Sequence, residues 1–249
     1  MVKKGSVIMR ISLLSYEFVN NDVRMNIGVI INALEKASHE NVDMIMFGES
    51  FIQGFDSLGW NYDKDQDDAI FLSSYEIRCI RSIANRYQVG CAFGYFERFK
   101  EHIYSSYLVI GKNGNILSNY RRRSIGWKVK ELCDEHYSEG DSFDVFEFEG
   151  KRFVSALCGD LWDDGLLDEM SKIDADVILW PIYVNFSKEQ WIKEKEEYLN
   201  RVKELKPYVL LVNSYTRNPE SLGGSFVYKD GKILMEGKRG QTDKITIEL

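Results

Sequence analysis

The sequence predicts a mixed α/β sandwich with helices outside. Three observations predict it. Short apolar runs suited to buried strands alternate along the whole chain with longer stretches of helical periodicity. Paired runs meet at Asn113-Gly114 and Asp230-Gly231, which mark hairpins. No linker rich in Pro, Gly or Ser divides the 249 residues and no repeat of solenoid length is visible, so residues 1–249 are read as a single domain.

Met9 to Ser15 (MRISLLS) is the first strand, and Asp22 to Ala37 carries Val23, Ile27, Ile30, Ile31 and Leu34 at helical spacing. Val42 to Phe47 is the next strand. Asp68 to Tyr87 reads as one helix, with Ile70, Phe71, Ile77, Ile80 and Ile83 on a stripe, and Val89 to Phe96 returns to strand. Tyr104 to Ile110 and Asn115 to Tyr120 flank Lys112-Asn113-Gly114, where Asn-Gly suits a tight primed turn. In the second half, Phe143 to Phe148 and Arg152 to Leu157 join at Glu149-Gly150, and Val177 to Trp180 and Val209 to Val212 are strands of the fully buried kind. Between these last two, Lys188 to Leu205 is a charged helix whose apolar contacts are Trp191, Ile192, Tyr198 and Val202. Ser225 to Tyr228 and Lys232 to Met235 close the chain as a hairpin.

Composition excludes several classes. The 39 acidic and 32 basic side chains leave a net charge of −7, which opposes the counterion release that drives nucleic-acid binding. The longest uncharged stretch, Val177 to Ser187, is about half of the ~20 residues a membrane span needs. Met1-Val2-Lys3-Lys4 is basic, but Arg10 interrupts the apolar run behind it, so no signal peptide is expected and Met9 is an alternative start. Cys79, Cys91, Cys133 and Cys158 are dispersed, and His39, His102 and His136 form no ligand grouping. Reduced thiols, a cytoplasmic setting and no metal site are expected.

Three polar features interrupt the apolar scaffold at strand ends. Glu49 follows the strand Val42 to Phe47, where partial desolvation would raise its pKa into the range of a general base. Cys158 follows Leu157 and precedes Gly159, a thiol at a turn whose next backbone N–H groups could form an oxyanion hole. Tyr120-Arg121-Arg122-Arg123, continued by Gly126-Trp127-Lys128-Val129-Lys130, is a cationic run able to favour a thiolate or an oxyanion. Taken singly, the ordinary readings are a loop glutamate, a buried structural cysteine and a solvated face.

In chain order, a Glu, a basic residue and a Cys at successive strand ends resemble the carbon–nitrogen hydrolase (nitrilase) superfamily over nearly the whole chain. GESFIQGF resembles its glutamate loop and Cys158-Gly159-Asp160-Leu161-Trp162 its nucleophile turn. Ala175 to Pro181 and the Gly223-Gly224-Ser225 hairpin resemble its later strands. The resemblance implies a four-layer α-β-β-α sandwich, no metal or organic cofactor, and a homodimer or higher homo-oligomer. It also implies hydrolysis of a small amide through a cysteine thioester. Cys158 would be the nucleophile, Glu49 the proton carrier, and Gly159 an oxyanion donor.

The basic position departs from the family pattern. The register of Tyr120-Arg121 puts Arg122 where the family has lysine, with Ser124 and Ile125 replacing a His-Leu pair. Counting back from Glu135, which resembles the family's second glutamate, favours Lys128 instead. The expectation adopted is Lys128, with Arg122 as its competitor, because a guanidinium of pKa above ~12 hardly shuttles a proton. Glu135 would orient the lysine or the substrate. Phe51 and Tyr183 are expected to line the pocket, ahead of Trp127, Trp162 and Asn185. The alternative is an impaired member that binds a metabolite or partner protein.

Overall fold

The computed structural model describes residues 8–249, so the basic start Met1-Val2-Lys3-Lys4 lies outside the described residues. The first half supplies β1 (Arg10–Ser15), α1 (Val23–His39), β2 (Met44–Met46), α2 (Tyr62–Asp68), α3 (Tyr75–Tyr87), β3 (Gly90–Phe99), β4 (His102–Ile110) and β5 (Ile116–Arg121). The second supplies β6 (Val145–Phe148), β7 (Lys151–Ser155), a 3₁₀ turn (Cys158–Trp162), α4 (Asp164–Ser171), β8 (Val177–Ile182), α5 (Lys188–Val202), β9 (Tyr208–Arg217), β10 (Glu220–Lys229) and β11 (Lys232–Glu236). A last strand, β12 (Asp243–Glu248), crosses back to the first sheet.

The strands form two six-stranded sheets, β12-β1-β2-β3-β4-β5 and β11-β10-β9-β8-β7-β6. In each, three neighbouring strands run parallel, β1-β2-β3 and β7-β8-β9, with antiparallel strands on both sides. The sheets face each other through an apolar layer that includes Leu13, Met46 and Val109 from one and Phe153, Leu179 and Val212 from the other. The outer face of the first sheet packs through Ile45, Phe93 and Leu108 on α1 and α3. That of the second packs through Ile178, Leu211 and Phe226 on Trp191 and Tyr198 of α5. This is the expected four-layer α-β-β-α order. Each fully buried aliphatic or aromatic side chain contributes about 1.5–3 kcal/mol by leaving water.

Several elements differ from the sequence reading. The helix expected over Asp68 to Tyr87 is helical only over Tyr75–Tyr87, α2 having ended at Asp68, because Ile70 bonds the β3 backbone at Phe96 and Arg98 and Ser74 Oγ caps a new start by accepting from the Ile77 N–H. Phe71 is accordingly exposed, beneath the Arg98 guanidinium. The β4-β5 connection is no two-residue primed turn. It spans residues 111–115, and Gly114 has φ +75° while Asn113 is not left-handed. Glu149-Gly150 and Asp230-Gly231 do take positive φ at both residues, as primed turns require. Ile192, expected as an apolar contact of α5, is 77% exposed. Four elements were not anticipated: α2, the 3₁₀ turn, α4 and β12.

Candidate active site

Glu49 owes its position to two glycines. Beyond β2 the chain passes between the sheets, and a Cβ on Gly48 would lie 2.4 Å from Ser214 Oγ of β9. A Cβ on Gly94 of β3 would lie 2.2 Å from the Ser50 nitrogen. Only bare backbone lets the loop lie against both sheets. The Glu49 N–H donates to the Ile182 carbonyl of β8 (3.4 Å), and the side chain is fully buried.

Cys158 stands on a strained turn after β7. Its φ is +41°, in the left-handed region that a side chain disfavours. Asp160 holds the turn closed: its N–H donates to the Leu157 carbonyl (2.8 Å) while its Oδ2 accepts from the Leu157 N–H (2.7 Å). The Trp180 indole N–H donates to the Cys158 carbonyl (2.9 Å). The thiol faces Glu49 and lies close to the backbone N–H of Tyr183.

The basic residue arrives by strand alternation. Burial alternates along the end of β5, with Ser118, Tyr120 and Arg122 inward and Asn119 and Arg121 at the edge. Arg122 Nη1 donates to Glu49 Oε1 at 2.8 Å, with side-chain exposures of 3% and 0%, and Nε donates to Ser124 Oγ at 2.8 Å. Nη2 makes no hydrogen bond among the described residues, and it stands where a Cβ on Gly159 would lie only 2.4 Å away. The same Asp160 fastens this segment to the thiol turn. Its carboxylate accepts the N–H groups of Arg123 (3.1 Å) and Ser124 (2.7 Å) and the Tyr120 hydroxyl (2.6 Å).

Burial and charge set the proton inventory. Burial pushes the Glu49 carboxyl above its usual range, and Arg122 opposes this without cancelling it. The Cys158 thiol is pushed up to about 12 by burial and then by the negative Glu49, with Arg122 pulling the other way. For Arg122, burial lowers proton affinity, but Glu49, Cys158 and Asp160 more than offset it. The resting arrangement is a neutral thiol beside a buried ion pair. Glu49 Oε2 is buried without a hydrogen-bond partner among the described residues, so it is free to take a proton.

The structure thus brings together Glu49, Arg122, Cys158 and Gly159, with the Tyr183 backbone nearby. The competition for the basic position is corrected in favour of Arg122. Lys128 makes its contacts elsewhere, pairing with Glu139 (2.7 Å) and donating to the Tyr137 carbonyl, in an outer cluster around the buried Trp127. Glu135 is exposed, with only its carbonyl engaged by His102 and Ser138, so it orients nothing at the thiol. Phe51 does not line a pocket: it is fully buried against Phe18 and Phe47. The Tyr183 ring packs on Phe18 and Phe55. Trp162 flanks Tyr198, and Asn185 is exposed. Sequence reasoning missed Asp160, Ser124 and Ser105, whose hydroxyl donates to Glu49 Oε1 (3.4 Å). An apolar groove of about 480 Å³ between α1 and α3 shares no residue with this constellation.

A formamidase from Photorhabdus laumondii is 25% identical over 248 residues, covering 92% of this chain and 68% of the relative. A glutamine-dependent NAD(+) synthetase from Acinetobacter baylyi is 24% identical over 177 residues, covering 68% of this chain and 30% of the relative, so the match spans under a third of that protein. The solved amidase from Nesterenkonia sp., bound to acrylamide as a double mutant, shares the fold with a TM-score of 0.80 at 17% identity, covering 100% of this chain and 93% of that one. The carbon–nitrogen hydrolase family model matches residues 9–249, and the chain belongs to that family.

Proposed function

We propose that the chain hydrolyses a carbon–nitrogen bond of a small linear or carbamoyl amide through a thioester on Cys158. The observation that carries this reading is the buried convergence of Glu49, Arg122 and Cys158, with one oxygen of Glu49 left unbonded among the described residues. Cys158 Sγ attacks the amide carbon as its proton passes to Glu49 Oε2. The carbonyl electron pair moves onto oxygen, where Arg122 Nη2 and the Gly159 N–H receive it. Collapse of the tetrahedral species breaks the C–N bond, and Glu49 gives its proton to the departing nitrogen. Water then attacks the thioester, Glu49 takes its proton, and the C–S bond breaks to release the acid and return the proton to sulfur. Arg122 keeps its protons throughout, so every transfer runs through Glu49.

A Nesterenkonia amidase variant with the acetamide moiety of fluoroacetamide added at its active-site cysteine supports the cysteine as nucleophile. The reading extends to a cytoplasmic homodimer or higher homo-oligomer acting without a cofactor. Transfer of the acyl group to an acceptor other than water would use the same intermediate. One observation favours an impaired, ligand-binding member instead: the guanidinium ion pair draws on the basicity that Glu49 needs.

Acid-quenched intact mass spectrometry and an ammonia assay over a panel of short amides separate these readings. An acyl adduct on Cys158, with ammonia release lost in Cys158→Ala, is the expected result. Absence of adduct and ammonia across the panel ends the hydrolase reading and leaves the binding one.

A further inference from the structure

Arg122 reaches Glu49 with one nitrogen only. A planar guanidinium beside a carboxylate tends to a two-point grip, since its fork matches both oxygens. Arg121 does this to Glu97 next door, with Nε on Oε2 at 2.8 Å and Nη2 on Oε1 at 2.7 Å. At Arg122 the Nε–H is instead taken by Ser124 Oγ at 2.8 Å. Ser124 is itself fixed, because its own N–H is held by Asp160 Oδ1 at 2.7 Å and its hydroxyl lies 2.9 Å from the point a Gly159 Cβ would occupy.

We propose that Ser124 is a positioning residue that sets the plane of the Arg122 guanidinium, and that Arg122 and Ser124 work as one unit at the basic position of the site. With Nε pinned, the side-on grip through Nε that Arg121 makes on Glu97 is closed to Arg122. Nη1 alone pairs with Oε1, Oε2 stays open to the thiol proton, and Nη2 faces the Cys158-Gly159 peptide where a substrate oxygen would sit. A lysine ammonium is a point charge with rotating donors and has no plane to fix, so a bond to the Ser124 hydroxyl would not set its orientation. The turnover part of this inference rests on the hydrolase reading; the geometric part does not.

A double-mutant cycle tests it, read by amide turnover and by the rate at which iodoacetamide alkylates Cys158. In the parent chain, Ser124→Ala lowers kcat about tenfold with KM little changed, the effect expected for removing a partner of a charged hydrogen bond. Ser124→Thr, which keeps the hydroxyl, recovers most of that loss. In the Arg122→Lys background, Ser124→Ala changes either readout by about twofold or less. Equal effects of Ser124→Ala in both backgrounds, or none in either, overturn the pairing. Alkylation that depends on Ser124 only when Arg122 is present, in a chain that never turns over an amide, ends the hydrolase reading and leaves the pairing standing.

Discussion

Arg121 and Arg122 are neighbours in sequence, and each grips a buried glutamate, yet the two pairs differ in what they leave unbonded. Around Arg121 it is the carboxylate that is satisfied at both oxygens. Glu97 accepts two guanidinium bonds and the Ser106 hydroxyl (2.8 Å), and the cation sits 4.4 Å and 4.0 Å from the ring centroids of Phe99 and Tyr104. Arg122 makes a single bond to Glu49, and among the described residues the second carboxylate oxygen remains open beside a thiol. Strand alternation sends the two side chains to opposite faces, so the same pair of residue types closes a surface on one side and opens a site on the other. Chemistry resides in unspent hydrogen-bonding capacity more than in the presence of an ion pair.

The largest test of that contrast exchanges each glutamate for its amide. Glu49→Gln should lower turnover by about 10²–10⁴, the range of a lost general base, in a steady-state assay. Glu97→Gln should leave turnover within a few-fold of the parent and lower the thermal midpoint instead, by an amount corresponding to about 1–3 kcal/mol for a partly exposed pair. Loss of turnover in both variants would erase the distinction.

Next in size is a pair of glycines. Gly159→Ala places a Cβ 2.4 Å from Arg122 Nη2 and should lower kcat about 10²-fold by displacing the guanidinium, with a small change in melting temperature. Gly140→Ala places one 2.4 Å from the Arg121 carbonyl, and calorimetry should register a stability loss of about 1–3 kcal/mol with turnover kept. The reverse assignment of the two phenotypes would sink the comparison.

The smallest effect is read in pH. With its pKa pushed up to about 12, Cys158 should be alkylated with a midpoint well above that of an ordinary thiol. Glu49→Gln should lower that midpoint by removing a negative neighbour, and Arg122→Ala should raise it. Because the folded thiol holds its proton more tightly than the unfolded one, its stabilising contribution is complete below about 9 and lost as pH climbs toward about 12. The melting temperature should therefore fall more steeply over that window in the parent than in Cys158→Ala. Parallel curves would count against a buried neutral thiol.

Much of this was legible in the sequence. The alternation of apolar runs and helical stripes gave the layers, and Glu49 and Cys158 were identified as polar residues ending apolar strands. Arg122 was legible too, since the period-two pattern from Ser118 through Tyr120 points inward again at residue 122. Counting back from Glu135 obscured it, because spacing along an irregular segment carries no direction. Asp160 left a fainter signal, a carboxylate two residues past the thiol inside an otherwise apolar turn, and its role depends on contacts with a loop some 36 residues away. The break before Tyr75 was written in Ser73-Ser74, a helix-capping pair that the apolar stripe through Ile70 and Phe71 outweighed. β12 was overlooked although Lys244-Ile245-Thr246-Ile247 alternates as a half-buried strand should.

The left-handed backbone at Cys158 has an evolutionary consequence. Glycine is the residue that φ +41° suits, and a side chain there is disfavoured by about 1 kcal/mol or more. At this one position stability and chemistry pull toward different amino acids. A chain under selection for folding alone would be free to drift toward glycine, whereas one that keeps a thiol there forgoes that gain for as long as the sulfur is used.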